Sequence, residues 1–274
     1  MKARFLGLDL AWKPNNPSGL AAIDEAGTLL DVNTCLRSDD QVLTWIGEHL
    51  GDRGAVAIDM PTIVRNPTGR RPCECAVAAD FHRHDAGPYP ANTELDPFVG
   101  GGRAHHLIAE LGECVTHTTQ VATRDPRTVA FETFPHAAAV RLFNLDKIKK
   151  YKKKRRAWDF VLAEWAGYRA LLETLRDKDP PLQLDDGKLP RTVTKVRYKR
   201  WDDAIDAVVC AYVAAFVWTH GTQSPMVRVY GDMESGHIVI PAGAAPVKAP
   251  PSGYRAAVEP VVPGPSLRTR ENRT

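Results

Sequence analysis

Residues 4–9, RFLGLD, carry the pattern that decides the fold. An apolar run ends in an acid, Asp9, and the residue two positions earlier, Gly7, has no side chain at all. The same ending returns in AVAID over 55–59, as Ala57-Ile58-Asp59, and in TVAFET over 128–133, as Ala130-Phe131-Glu132. Short apolar runs of this kind, bounded by turn residues, read as buried strands. Side chains alternate faces along a strand, so within each run the small residue shares a face with its acid. A covering helix can approach the sheet closely over the small residue, and the acid then emerges at the edge of the packed surface.

Working outward, LAAID over 20–24 and TLLDVNTCL over 28–36 read as two further strands joined at Ala26-Gly27, after a turn cluster at Asn15 to Gly19. Ser38 is placed to cap a helix running to Leu50 with Val42, Leu43 and Ile46 on its apolar side. Pro61 stops the fourth strand, and Pro135 opens a short helix to about Phe143. A helix over about 156–177, a polar loop over 178–199 and a last helix from Trp201 to Thr219 follow, then a small hairpin over 226–231 and 236–240. Three consecutive strands followed by helix-linked ones predict an α/β protein. Its sheet is expected to be mixed, five-stranded and flanked by helices.

Between Thr62 and Asp125 the periodicity breaks down into Gly, Pro, Arg and His, with one helix at about 103–111. This stretch reads as an insertion, about 62–127, decorating one domain over 1–241. After Pro241 the composition turns to Pro, Ala, Gly and Val, too poor in apolar surface to offset the entropy of ordering. A disordered tail is expected over 242–274.

The chain has 274 residues, 43% of them hydrophobic, and a formal charge of +3, too small to define a partner. The N-terminal apolar run contains Asp9 and lacks a small-residue cleavage site, so it reads as a strand and not a signal peptide. No stretch reads as the run of about 20 apolar residues that spans a bilayer, and the expected location is cytoplasmic with no membrane partner. Five cysteines, three of them scattered singly, argue against a disulfide framework.

The last helix complements the strand ends. Asp203 and Asp206 are three apart and share a helical face, continued by Ala207, Cys210 and Val217. Asp202 fits the N-cap. Carboxylates gathered from separate elements repel one another unless a cation is present. Hard divalent ions such as Mg²⁺ bind such oxygens, and two of them about 3.5–4 Å apart can stabilise both oxygens of a phosphoryl displacement. On its own, each of these acids also fits an ordinary turn or cap residue; the argument lies in their recurrence.

Charge is unevenly placed. KIKKYKKKRR over 147–156 holds eight basic residues in ten. With Tyr151 inside and Trp158 just after, Lys149, Lys150, Lys152, Lys153, Lys154, Arg155 and Arg156 are expected to contact nucleic-acid phosphates, the alternative being a solvated face. Cys73 and Cys75 with His82 and His84 resemble a zinc set, but the cysteine spacing is tighter than usual. Gly100 to Gly102 follow no strand, and no Gly-x-Ser-x-Gly occurs, so neither a phosphate loop nor a serine hydrolase is supported.

With these residues assembled, the sequence resembles an uncharacterised family described as predicted RNase H-fold nucleases, domain of unknown function 429. The matching pieces are Gly7-x-Asp9-x-Ala11-Trp12, Val56 to Pro61, Arg70-Arg71-Pro72-Cys73-Glu74, Phe131 to His136, Asp203-Ala204-Ile205-Asp206-Ala207 and Gly236 to Pro241. The Asp-x-x-Asp helix also looks like the last catalytic helix of Holliday-junction resolvases. The resemblance implies an RNase H-like fold and a metal-dependent nuclease using Mg²⁺ or Mn²⁺. Asp9, Asp59, Asp203 and Asp206 would hold the metals. Glu132, counted with the catalytic acids, would be an extra ligand, or would position Arg70 or His136. Trp12, Arg70, Arg71 and His136 are candidates to touch substrate. Two other readings stay open: a nucleic-acid-binding module with a structural acid cluster, and a hydrolase or phosphotransferase on a small phosphorylated ligand.

Overall fold

The recurring strand endings are brought together in a computed structural model that describes residues 2–13 and 16–244. The strands are β1 (Ala3–Asp9), β2 (Gly19–Asp24), β3 (Leu29–Asn33), β4 (Arg53–Asp59), β5 (Thr116–His117) and β6 (Thr128–Glu132), in the spatial order β3-β2-β1-β4-β6-β5. β2 is antiparallel to β1 and β3, whereas β1, β4, β6 and β5 are mutually parallel. The expected mixed sheet flanked by helices is present, with six strands and not five. The sixth is the two-residue β5, too short to leave a periodic trace in the sequence. The third strand is shorter than expected, ending at Asn33.

One face of the sheet is covered chiefly by α7 (Ala204–His220), with α4 (Pro135–Phe143) and α5 (Trp158–Glu173) beside it. α7 is buried from Ala204 to Trp218, and Gly7 explains how it gets so close. A Cβ on Gly7 would collide with the backbone of α7 at Ala207 and Ala211, and one on Gly19 would collide with the carbonyl of Asp203. The two glycines therefore fix the first turns of α7 directly over the ends of β1 and β2. Tyr198–His220, which joins α7 to the four-residue α6 (Tyr198–Trp201), is 23 residues long with a mean hydropathy of 1.2, enough by length and composition to cross a membrane. That apolarity belongs to a core helix with 83% of its apolar window buried.

The opposite face packs on α1 (Asp39–His49) and α3 (Arg103–Leu111), through Leu6, Leu8, Val56 and Ile58 against Val42, Trp45, Ile46 and Leu107. Ser38 caps α1 as expected, accepting from Gln41 N at 3.3 Å while Gln41 Oε1 accepts from Ser38 N. The insertion contains a helix that its pattern does not announce, α2 (Pro72–Phe81). Its start is set by Pro72 and by Glu74, whose carboxylate accepts from Arg71 N at 3.0 Å. A hairpin of β7 (Val227–Asp232) and β8 (Gly236–Pro241) packs against α2, α4 and β6. The tail expected over 242–274 lies outside the described residues from 245 onward.

Candidate functional site

β1 and β4 pair in parallel with Gly7 opposite Ala57 and Asp9 opposite Asp59. The two carboxylates therefore leave the sheet on the same face, on strands about 4.8 Å apart, where α7 begins. α7 contributes Asp206, with a side chain 2% exposed, and Asp203 at its N-cap position. The cap expected of Asp202 is not made. A break between α6 and α7 moves the helix start to Asp203, and the Asp202 carboxylate instead accepts from Lys199 at 3.1 Å. Burial and neighbouring Asp203 raise Asp202 to about 6.

At the centre of the acids stands a cation from the basic run. Lys152 Nζ lies 2.8 Å from Asp206 Oδ2, 3.0 Å from Asp203 Oδ1 and 3.8 Å from Asp9 Oδ2. Burial works against its charge, but Asp206, Asp9 and Asp203 together outweigh burial and hold its pKa well above that of an ordinary lysine. Asp206 is further held by the hydroxyl of Tyr151, which donates to Oδ1. Two acids are less well served. Asp9 Oδ2 is buried without a hydrogen bond, and no hydrogen bond to Asp59 is found among the described residues. Burial is the first cause that drives both well above the usual carboxylate range, and the neighbouring aspartates add to it against the opposing charge of Lys152.

Glu132 does not join this set. β6 pairs with β4 one residue out of step with the acids, Phe131 opposite Ala57 and Glu132 opposite Ile58. Its small-x-acid ending therefore faces the other side of the sheet, with Ala130 packed among Leu6, Leu8 and Val56. The Glu132 carboxylate takes Arg71 Nη2 at 2.6 Å, Arg71 Nη1 at 2.9 Å and Thr62 N at 2.9 Å. Arg71 Nε donates to Glu74 Oε1 at 2.8 Å, and Ala91 N to Glu74 Oε2 at 3.1 Å. Arg71, 1% exposed, is thus committed to two buried carboxylates and not placed to grip substrate. The expected positioning partner, Arg70, is at the surface. His237 Nε2 accepts from Glu132 N at 3.1 Å, locking the strand end to β8.

The basic run is only partly a surface feature. Tyr151 is 1% exposed, so it is closed to the base stacking its position suggested. Lys150 pairs with Asp85 at 2.8 Å, Lys149 stands 3.7 Å from Glu164, and Lys153 lies over the Trp158 ring and donates to Arg156 O. Arg156 Nη1 donates to Lys152 O at 2.9 Å, which steadies the turn carrying that lysine. Lys154 and Arg155 remain exposed. Cys73 is buried and Cys75 exposed on α2, so the pair does not converge on a zinc position.

Two cavities meet at the acids. One, about 490 Å³, is lined by Asp59, Asp206, Lys152 and His136 and backed by Arg71 and Glu132. The other, about 460 Å³, is lined by Asp9, Asp59, Asp203 and Lys199, and Trp12 borders both. Burial is the main cause that lowers the His136 pKa below the ordinary histidine value. Among the described residues no three His, Cys, Asp or Glu side chains stand in metal-ligating geometry; the ammonium of Lys152 takes the position between Asp9, Asp203 and Asp206. The donor set nonetheless fits a hard divalent cation, since it is all oxygen and includes the buried Asp9 Oδ2, which has no hydrogen bond. Of the features sequence reasoning missed, the Arg71 network had a signal in the Arg71-to-Glu74 spacing of a capping box. Lys152 had none, because it is one of eight cations in the run.

Fold and site together define an α/β protein with a carboxylate cleft at the carboxyl ends of its parallel strands. A family model described as protein of unknown function (DUF429) matches residues 7–231, and the chain belongs to that family. No curated protein and no solved structure matches it.

Proposed function

We propose that the chain is a metal-dependent phosphodiesterase of RNase H-like type, acting on nucleic acid with Mg²⁺ or Mn²⁺. The observation that carries this reading is the ammonium of Lys152 held by Asp206 and Asp203 beside Asp9. Carboxylates drawn from two strands and a helix have gathered around a positive charge, which leaves Asp59 and Asp9 Oδ2 without a hydrogen bond among the described residues. Asp9, Asp59, Asp203 and Asp206 would hold the cation. When bound, it supplies Lewis-acid polarisation of a phosphoryl oxygen and a more acidic water.

The protein's own part is positioning. Asp206 is fixed by the Tyr151 hydroxyl, so its carboxylate keeps its aim whether or not Lys152 is in place. Lys152 sits on a loop, and with a cation held by the carboxylates its ammonium would be available to a phosphate oxygen. Lys154 and Arg155, exposed beside the cleft, extend that positive edge. Trp12, on the border of both cavities, stands beside Asp59.

The same lysine supports a second reading, a nucleic-acid-binding module in which Lys152 is a permanent structural counter-ion. A panel of DNA, RNA, hybrid and junction substrates, with and without Mg²⁺ or Mn²⁺, separates the two. Metal-dependent turnover lost in Asp59→Asn is the expected result. Salt-dependent binding with no turnover, and no rise in melting temperature with millimolar Mn²⁺, would overturn the enzyme reading in favour of the module.

A further inference from the structure

We infer that the 490 Å³ cavity beside Asp59 is a subsite for one unstacked nucleobase, so that the substrate is single-stranded nucleic acid or a frayed end and not an intact duplex. The inference rests on the phosphodiesterase reading and adds the form of substrate to it. The cavity falls in the size range of small-ligand pockets, about 300–1,000 Å³, enough for one nucleotide unit and too small for paired strands.

Its lining favours a flat heteroaromatic ring over a bare phosphate or sugar. The charged groups behind it are already satisfied, since Glu132 and Glu74 are bound to Arg71, and Asp85 is bound to Lys150. Away from the side lined by Asp59, Asp206 and Lys152, the wall is largely apolar, with Met60, Pro61 and Ile238 buried and Phe134 half-buried. At the mouth stands Tyr89, 70% exposed, an unusual position for a large aromatic side chain. Its hydroxyl is 3.5 Å from Lys154 Nζ, which places a cation beside the ring. Aromatic side chains next to lysines are how proteins hold unpaired bases, the ring stacking and the cation taking the phosphate. His136 offers a polar edge, for neither ring nitrogen has a hydrogen-bond partner among the described residues.

The second cavity supplies the rest of the path. It continues past Trp12 and Asp59 to Lys13 and Lys199, a polar route suited to a neighbouring phosphate and sugar. A base in the first cavity and the backbone in the second would bring the linking phosphodiester over Asp59 and Asp9.

The test uses the full chain in EDTA, titrated with adenosine 5′-monophosphate, ribose 5-phosphate or inorganic phosphate and followed by calorimetry. The nucleotide is expected to bind at least about tenfold more tightly than ribose 5-phosphate, within the range of one base–aromatic stack. Tyr89→Ala, a change at an exposed position, should remove most of that difference. With Mn²⁺, single-stranded oligonucleotides should be cut faster than blunt duplexes, and Tyr89→Ala should narrow the gap. Equal binding of nucleotide and ribose 5-phosphate, or an unchanged preference in Tyr89→Ala, overturns the base subsite. Cleavage that ignores strandedness, with no nucleotide preference, removes the subsite and leaves the phosphodiesterase. A nucleotide preference sensitive to Tyr89→Ala, with no cleavage of any polymer, upholds the subsite and removes the phosphodiesterase.

Discussion

Two groups of acids lie within one cleft, and they are neutralised in different ways. Glu132 and Glu74 share the rigid guanidinium of Arg71, with hydrogen bonds of 2.6 to 2.9 Å and side chains no more than 4% exposed. Of Asp9, Asp59, Asp203 and Asp206, flexible Lys152 reaches three, Lys199 adds a second contact to Asp203 Oδ2 at 3.3 Å, and Asp9 Oδ2 is left with a 3.8 Å ion pair and no hydrogen bond. A planar fork closes a carboxylate pair permanently, whereas a point charge on a long stem can be replaced. The first group therefore holds the insertion to the sheet, and on the proposed reading the second would exchange its lysine for a metal ion.

The sharpest way to break this contrast is to neutralise one member of each group. Asp59→Asn is expected to lower Mn²⁺-dependent cleavage by on the order of 100- to 1,000-fold, the loss of several kcal/mol of Lewis-acid stabilisation. Its apo melting temperature should be unchanged or higher, because a buried carboxylate that repels its neighbours is gone. A clear loss of apo stability would make Asp59 structural. Arg71→Leu should do the reverse. Two buried carboxylates lose their counter-ion at a cost of about 3–5 kcal/mol, seen as a lower denaturant midpoint. A midpoint within error of the parent would mean that the Arg71 network does not hold the insertion.

A smaller effect is expected from Lys152→Gln. Without its ammonium the apo protein should lose about 1–2 kcal/mol, while the rise in melting temperature on adding Mn²⁺ should become larger, since metal no longer competes with a lysine. An unchanged metal response would show that the lysine and the metal occupy different places.

The smallest effect concerns the back of the closed group. His237 and His117 have ring centroids 5.3 Å apart, and burial lowers each to about 4. A histidine base with a depressed folded pKa stabilises the fold above its unfolded value of about 6.5, and that stability is lost as pH falls through about 4. The melting temperature of His117→Gln should therefore fall less than that of the parent between pH 7 and 4, by a few degrees, about 2–4 °C per kcal/mol. Parallel curves for the two proteins would show that His117 does not titrate in this window.

Local patterns in the sequence determined the strand endings, the cap at Ser38, the helix start at Pro135, and the helical face shared by Asp203 and Asp206. Alternation along a strand and the helical repeat are properties of neighbouring residues, so no long-range information is needed to read them. They put Asp9 and Asp59 at matching strand ends, and the strand order implied by the family resemblance put those strands side by side. Tertiary structure alone decided three things. The register of β6 on β4 turned Glu132 to the opposite face, because a shift of one residue inverts every side chain of a strand. The fold of the loop after α4 chose Lys152 from among six lysines and two arginines in one run. The packing of α2 buried Arg71 while leaving Arg70 outside, a distinction between adjacent arginines that depends only on which of them meets the carboxylates of Glu132 and Glu74.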